Sequence, residues 1–179
     1  MNTKILKSMK RKYTKEDVLE SFKRAKSVAE GVFVGMDVIV GFPGETEEDF
    51  LETYNALKNS PYWDRIHVFP YSERPKTGAT LLKGEVPVVE RKRRSKALRA
   101  LSTERFHMSL SGQIGKDLDV LVFGKKDFKS RRGLSQGLSR NYFPVVFPDG
   151  APDFKEVKAK VLDVDYSLKA EGVLVCECL

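Results

Sequence analysis

An abrupt turn at residues 41–44 is the most promising place for chemistry in this sequence. The apolar run Val38 to Val40 ends there in Gly41-Phe42-Pro43-Gly44. A glycine has no side chain, so a ligand such as an adenine or an amino-acid group can approach its backbone closely and bond to the peptide groups. Ligands also collect at the carboxyl ends of the strands in a parallel sheet. The turn is therefore a candidate ligand site, and an ordinary tight turn is the alternative interpretation.

Further candidates lie on the strands that lead to this end of the sheet. Asp37 lies inside an apolar strand, where a buried carboxylate needs a partner, so it is either a hydrogen-bonded structural group or a polar ligand group inside a barrel. Phe69 lies near the end of the next strand, where an aromatic side chain can form a wall of an apolar ligand site. Arg74 and Lys76 follow on a loop at the same end, where they could contact a ligand.

The elements that position these residues are predicted by capping and periodicity. Thr46 and Asp49 have the spacing of a capping box, and Thr14 and Asp17 repeat that spacing earlier, so each pair predicts a helix start. Together with the apolar runs, they indicate strand–helix units of a parallel α/β sheet. The predicted strands of this half are 32–40 and 66–72, and a third helix is predicted at 88–110.

After Gly112 the pattern changes, because short segments rich in β-branched and aromatic residues replace the helical periodicity. This spacing is typical of a small antiparallel barrel of the OB type. The predicted fold class is therefore α/β followed by all-β, with the boundary near Gly112. The predicted strands of the barrel are 117–123, 133–139, 142–147, 157–165 and 172–178.

The charge of the chain is positive, with a formal net charge of +7, and it is unevenly placed. Residues 1–15 hold six Lys/Arg, residues 88–105 hold seven and residues 125–140 hold six. Basic clusters of this kind favour a polyanionic partner such as RNA, whose phosphates dominate affinity. The alternative is a set of solvated helix faces, above all for residues 88–105.

The remaining composition narrows the class of protein. No apolar stretch reaches the roughly 18 residues that span a bilayer, and no signal-peptide pattern follows Met1. Cys176 and Cys178, the only cysteines, are two residues apart in one predicted strand. Their thiols therefore point to the same face of the strand, which is a poor geometry for a disulfide between them. The preferred interpretation is that both thiols are reduced, and a metal or redox role is the alternative. Reduced thiols fit a cytoplasmic protein, and no membrane partner is expected.

Four blocks of this sequence, in their order and spacing, resemble the radical S-adenosylmethionine (SAM) methylthiotransferases, especially the branch acting on threonylcarbamoyl-adenosine in tRNA. The blocks are Leu6 to Thr14, Asp37 to Phe50, His67 to Ala79 and Gly137 to Val145. The last block resembles the signature Gly-x-x-x-Asn-Tyr-x-x-Val of the TRAM domain, a small RNA-binding barrel. The resemblance implies that residues 1–112 are the C-terminal part of a radical SAM (β/α) partial barrel with a linker helix. Residues 113–179 would be the TRAM-like barrel.

The resemblance also implies where ligands bind. The partner would be tRNA, near its anticodon, with cations close to phosphates and Tyr142 available to stack on a base. The implied cofactor-binding residues are Asp37, Gly41, Phe42, Val68 and Phe69. The implied RNA-binding residues are Arg74, Lys76, Lys125, Lys126, Arg131, Arg132, Arg140, Asn141 and Tyr142.

The implied reaction adds a methylthio group to C2 of an N6-modified adenosine next to the anticodon, with SAM and two [4Fe–4S] clusters as cofactors. The family holds its catalytic cluster on a Cys-x3-Cys-x2-Cys motif, which this sequence lacks. We therefore expect no catalytic or metal-binding residue in this chain, cluster ligands upstream of Met1, and no activity of the chain alone. The alternatives are a non-catalytic RNA-binding module with a degenerate half-barrel, and a scaffold fragment with no nucleic-acid role.

A partial barrel has a consequence for stability. The two parallel strands are apolar enough to require burial on both faces, whereas a barrel without its first strands leaves an edge and a core face open. We therefore expect the first half of the chain either to self-associate through these strands or to be far less stable than the barrel after Gly112.

Overall fold

The computed structural model describes residues 1–126 and 133–179, which divide into two units, Met1–Thr103 and Glu104–Leu179. The division lies within a long helix, upstream of Gly112. The first unit contains, in order, helix α1 Thr3–Ser8, helix α2 Lys15–Val28, strand β1 Gly35–Val40, helix α3 Glu47–Asn59, strand β2 Arg65–Pro70, a 3₁₀ turn at Gly78–Leu81 and the first part of helix α4 Val88–Ser111.

Two of the helices begin at the predicted capping boxes. The Thr14 side chain accepts a hydrogen bond from the Asp17 backbone N–H, and the Asp17 carboxylate accepts one from the N–H of Thr14. The same reciprocal pair joins Thr46 and Asp49 at the start of α3. Each box satisfies two backbone donors that a helix start leaves without partners. The predicted helix starts are confirmed.

The sheet of the first unit consists of β1 and β2, which pair in parallel from Gly35 opposite Arg65 to Val40 opposite Pro70. Strand β1 starts three residues later than predicted, because the shorter hydrogen bonds of Val34 go to Asp64, in the connection between α3 and β2, and its carbonyl reaches the N–H of Arg65 in β2 only at 3.4 Å. The N–H of Val34 donates to the Asp64 carboxylate at 2.7 Å, and its carbonyl accepts from the N–H of Asp64 at 2.8 Å.

Only one face of this sheet is covered. The side chains of Val38, Val40, Ile66 and Val68 are buried with Trp63, Phe50, Leu57 and Leu98 in the core of the unit. The opposite face carries Asp37 and Ile39 on β1, beside His67 and Phe69 on β2, and all four are exposed. This exposure agrees with the expectation that one face of the two strands is left open. The expectation of a buried Asp37 carboxylate is wrong for this structure, because alternation along the strand turns its side chain outward.

The second unit holds the end of α4 and a closed barrel with the strand order β3-β4-β5-β7-β6. The predicted small barrel is confirmed, with one difference: β5 and β7 pair in parallel, while the other pairs are antiparallel. Its strands are β3 Asp117–Lys126, β4 Leu134–Ser139, β5 Pro144–Phe147, β6 Glu156–Asp165 and β7 Val173–Cys178.

The close approach of β3 and β4 depends on Gly137. A Cβ at this position would lie 2.6 Å from the Leu121 carbonyl oxygen and 2.7 Å from a methyl group of Val120. Glycine is therefore required for packing inside the barrel wall. Among the described residues, no helix is both long enough and apolar enough to cross a membrane.

Candidate ligand cleft and nucleic-acid interface

A cleft of about 770 Å³ lies at the carboxyl ends of β1 and β2. Three aromatic side chains line it, Phe42, Phe69 and Tyr71, and Phe42 packs edge-on against Tyr71 with ring centroids 5.2 Å apart. Its lining also contains the cations Lys10, Arg11 and Arg74, and no acidic residue among those that the structure describes. The other lining residues are Ser8, Met9, Ile39, Pro70, Ser72, Thr77, Gly78, Ala79 and Leu82.

The structure brings some of the predicted cofactor-binding residues into this cleft and leaves others outside its lining. Phe42 and Phe69 line it, and Phe69 is half exposed on the open face of the sheet. Asp37 instead lines a neighbouring cavity of about 510 Å³. Val68 is buried, and its carbonyl accepts a hydrogen bond from Arg99 at 3.0 Å.

Gly41 has a structural reason to be glycine. Its φ is +73°, and a Cβ there would lie 2.4 Å from Cγ of Arg91. Its N–H donates to the Glu45 carboxylate at 2.6 Å. Contrary to the expectation from sequence, this N–H is not free to bond a ligand.

Two buried arginines of α4 hold the turn and the loop after β2. Arg94 donates to both the carboxylate and the backbone carbonyl of Glu45, at 2.8 and 3.1 Å. Arg91 donates to the carbonyls of Tyr71 and Val86, and it forms an ion pair with Glu73 at 2.8 Å. The hydrogen bond from Arg91 lowers the pKa of the Glu73 carboxyl. This network fixes the strand ends that form the cleft.

The sequence did not reveal this network, because the same residues belong to the basic cluster 88–105. Arg91 and Arg94 are buried, and Arg93 pairs with Glu47 and Glu90 on the surface. Much of that cluster therefore serves the fold, so the solvated-face alternative is also wrong for Arg91 and Arg94. The only signal in the sequence was the acidic segment 45–49, which provides partners for several of these cations.

The second candidate surface lies on the barrel, at a groove of about 360 Å³ next to the turn between β4 and β5. Arg140 and Tyr142 line this groove, together with Leu121, Leu138, Ser139 and Glu156. Arg140 donates to Glu156 through both Nε and Nη2, at 2.5 and 3.0 Å. This hydrogen-bonded pair raises the pKa of Arg140 and lowers that of Glu156.

Three of the four TRAM-like signature positions serve the barrel itself. Gly137 allows β3 to approach, Val145 is buried, and Asn141 accepts a hydrogen bond from the Ser139 hydroxyl at 2.6 Å. Tyr142 differs: it is 68% exposed and has a φ of +64°. Left-handed backbone is uncommon for a bulky residue and costs stability, so it occurs where surrounding structure or function requires it.

The remaining predicted RNA-binding residues are distributed over both units. Arg74 lines the cleft and Lys76 follows it with an exposed side chain, whereas Lys125 is exposed on β3. Lys126 is the last residue of β3. Arg131 and Arg132 lie outside the described residues.

The thiols do not fit an iron–sulfur cluster. Burial raises the pKa of Cys176 to about 12, which keeps its thiol protonated, and burial also raises the pKa of Cys178. A cluster needs several thiolate ligands. In the part of the chain that the structure describes, no group of three or more His, Cys, Asp or Glu could hold a metal ion.

Comparison with known proteins places the chain among radical SAM proteins. The family model for the Radical SAM superfamily matches residues 1–57. The threonylcarbamoyladenosine tRNA methylthiotransferase of Bacillus subtilis is 37% identical over 164 residues, which cover 90% of this chain and 36% of that protein. The corresponding protein of Aquifex aeolicus is 40% identical over 68% of this chain and 29% of its own length.

A second kind of relative is named for a different modified adenosine. The tRNA-2-methylthio-N(6)-dimethylallyladenosine synthase of Desulfitobacterium hafniense is 37% identical over 82% of this chain and 32% of its own length. The chain belongs to the radical SAM methylthiotransferase family. It spans about a third of the length of the curated relatives that it matches.

Proposed function

We propose that this chain is the C-terminal portion of a tRNA methylthiotransferase that adds a methylthio group to C2 of an N6-modified adenosine next to the anticodon. Residues 1–112 would supply part of the SAM site, and residues 113–179 would bind the tRNA. The names of the relatives support tRNA as the substrate. Threonylcarbamoyl-adenosine is the preferred target, because the sequence blocks resemble that branch most.

The observation that carries the RNA-binding proposal is the conformation of Tyr142. The barrel does not need its ring for packing, because the ring is largely exposed. The left-handed backbone holds this ring at the tip of the turn, next to the groove that Arg140 lines. An exposed aromatic ring beside cations is the arrangement with which proteins stack single-stranded bases. Lys125, Lys126, Arg131, Arg132 and Arg140 are the proposed phosphate contacts, with Asn141 holding the turn.

The cleft is the proposed place for SAM. Its volume lies in the range of pockets for molecules of this size, and its aromatic lining suits an adenine. In this proposal Phe42 and Phe69 pack against the ligand, while Gly41 follows β1 and Asp37 and Val68 lie on the two strands that lead to the cleft. SAM and two [4Fe–4S] clusters supply the radical and sulfur chemistry in this family. Since the described residues offer no cluster ligands, we propose that this portion is inert alone.

Binding of unmodified tRNA by the whole chain tests the proposal. We expect affinity to fall steeply with salt, because phosphate contacts release counterions. Tyr142→Gly relieves the left-handed strain and removes the ring, so it should weaken binding by roughly 1–3 kcal/mol without lowering the melting temperature. Tyr142→Phe keeps a ring that can stack and should retain the affinity. Filter binding at two salt concentrations measures the salt dependence of the affinity and the affinity of each variant. Salt-independent or undetectable binding by the unaltered chain contradicts the proposal.

A second candidate is a non-catalytic RNA-binding module. It agrees, as the first proposal does, with the described residues 1–126 and 133–179, in which no group of three or more His, Cys, Asp or Glu could hold a metal ion. The coding DNA discriminates the two functions: an in-frame upstream stretch encoding Cys-x3-Cys-x2-Cys favours the enzyme. We also propose that the uncovered face of the β1–β2 sheet permits self-association, which size-exclusion chromatography at several concentrations tests.

A further inference from the structure

A groove of about 390 Å³, the α4 groove, lies between α4 and the end of β2. Its lining includes Lys92, Lys96 and Arg99, whose side chains are exposed, and no acidic residue among those that the structure describes. The α4 groove shares Pro70 with the cleft described above, but none of its α4 residues lines that cleft. It therefore presents three positive charges on a surface of its own.

The cations in the first half of α4 fall into two sets. Arg91, Arg93 and Arg94 each form ion pairs with acidic side chains. Within residues 1–126 and 133–179, the three groove cations have no acidic partner, and Arg99 donates only to the carbonyl of Val68. The groove cations are four and three residues apart along the helix, a spacing at which like charges repel one another and destabilise a helix. An anion bound in the groove would remove this repulsion.

The α4 groove also contains a polar group without a partner. Ser95 lines it and is only 2% exposed, and its hydroxyl forms no hydrogen bond with the described part of the protein. Buried hydroxyl groups in native proteins nearly always have a partner. The hydroxyl of Ser102, two turns later on the same helix, bonds to both backbone groups of Ile66. The hydroxyl of Ser95 is thus available to a ligand, and this observation is independent of the charges.

We propose that the α4 groove binds a dianionic phosphate group, either inorganic phosphate or a small phosphate monoester. Lys92, Lys96 and Arg99 neutralise the charge, and the Ser95 hydroxyl donates to a phosphate oxygen. A monoester carries nearly two negative charges at neutral pH, whereas each diester of a nucleic-acid backbone carries one. Three cations without acidic partners in one groove match the monoester better. The site does not depend on the proposed function, because it takes neither SAM nor tRNA.

Titration of the whole chain with inorganic phosphate, methyl phosphate and dimethyl phosphate tests this proposal. Isothermal titration calorimetry, at an ionic strength held constant with sodium chloride, measures the affinity for each compound. We expect saturable binding of the first two and much weaker binding of the diester, which lacks the second charge. The tighter of the first two identifies the ligand as a monoester or as the free ion. Equal binding of dimethyl phosphate, or no saturable binding of any compound, overturns the site.

Ser95→Ala separates a binding role of the hydroxyl from a structural one. The change removes a hydroxyl without a partner and introduces a better helix former, so the melting temperature should stay the same or rise. The affinity for phosphate should fall roughly tenfold or more, as for the loss of a hydrogen bond to a charged group. Ser102→Ala is the control, which should lower the melting temperature and leave the phosphate affinity unchanged. A lower melting temperature or an unchanged affinity for Ser95→Ala overturns the proposal.

The double variant Lys92→Gln/Lys96→Gln tests the role of the charges. It should abolish saturable phosphate binding and leave the melting temperature unchanged or higher, because two like charges four residues apart no longer repel. The matched control is Lys23→Gln/Arg24→Gln, which removes two exposed charges from α2 at positions that do not line the groove. An equal loss of binding in the control would show that only net charge matters and would overturn the assignment of the groove.

Discussion

The β1–β2 sheet and the barrel satisfy their strand edges in different ways. The barrel closes on itself, so each of its strands has a neighbour on both sides. The β1–β2 sheet instead relies on side chains of α4 at the outer edge of β2. The Ser102 hydroxyl donates to the carbonyl of Ile66 at 2.9 Å and accepts from its N–H at 3.0 Å, and Arg99 donates to the carbonyl of Val68.

This difference predicts how each region responds to mutation. Backbone ladders hold the barrel together, so exposed side chains on its outer surface can change without loss of structure. The β1–β2 sheet has only one ladder, and a few polar side chains of α4 complete it. Because the β2 edge is capped, the proposed self-association would have to use the edge of β1 or the open face. Substitutions of the α4 side chains that bond to the β1–β2 sheet should therefore destabilise that sheet and leave the stability of the barrel unchanged.

The largest expected effect is that of Arg94→Met. This change leaves the buried Glu45 carboxylate without its cation, and breaking a buried ion pair in this way destabilises by roughly 3–5 kcal/mol. Trp63 is the only tryptophan and is buried in the first unit, so its fluorescence during urea unfolding reports on that unit. The β-sheet signal in circular dichroism, to which the five strands of the barrel contribute, should be lost at the same urea concentration as in the unaltered chain.

Arg93→Met is the matched control for this prediction. Arg93 precedes Arg94 on the same helix and also pairs with acidic side chains, but it is about half exposed. Exposed pairs contribute only about 0–1 kcal/mol. Equal effects of the two substitutions would contradict the structural role assigned to the buried pair.

A smaller effect is expected for Ser102→Ala. Both backbone groups of Ile66 lose their partner in a buried position, which costs about 1–3 kcal/mol. Hydrogen exchange resolved by residue should show faster exchange at the Ile66 amide and no change at Val120 or Val145 in the barrel. The unaltered chain should already exchange faster before about residue 110 than after it. Uniform protection in a demonstrated monomer would refute the expected difference in stability.

The sequence predicts features that depend on neighbouring residues better than features that depend on distant ones. The capping boxes at Thr14 and Thr46 and the short strands of the barrel were recognisable, because spacing of a few residues determines them. The roles of Arg91 and Arg94 were not recognisable, because their partners lie far away in the chain. The burial of Asp37 was predicted wrongly, since an apolar strand does not show which of its faces is covered.

The candidate site shows the same limit. The aromatic residue Phe69 could be found from the strand pattern, and Tyr142 from its signature. The cations Lys10 and Arg11 could not be assigned to the cleft, because only the fold brings them to the strand ends. The left-handed conformation of Lys10 and Lys76 has no counterpart in the sequence, where lysine does not indicate such a backbone.

The smallest expected change in stability comes from Glu156→Gln on the barrel surface. Glu156 and Arg140 form an exposed pair, so its loss should change the free energy of unfolding by less than about 1 kcal/mol. The same change should strengthen tRNA binding, because the bidentate contact with Glu156 occupies the guanidinium that a phosphate would otherwise bind. Glu177→Gln is the control, since it removes one exposed acid that does not line the groove. Equal gains from both variants, measured by filter binding, would attribute the effect to net charge and would remove Arg140 from the proposed interface.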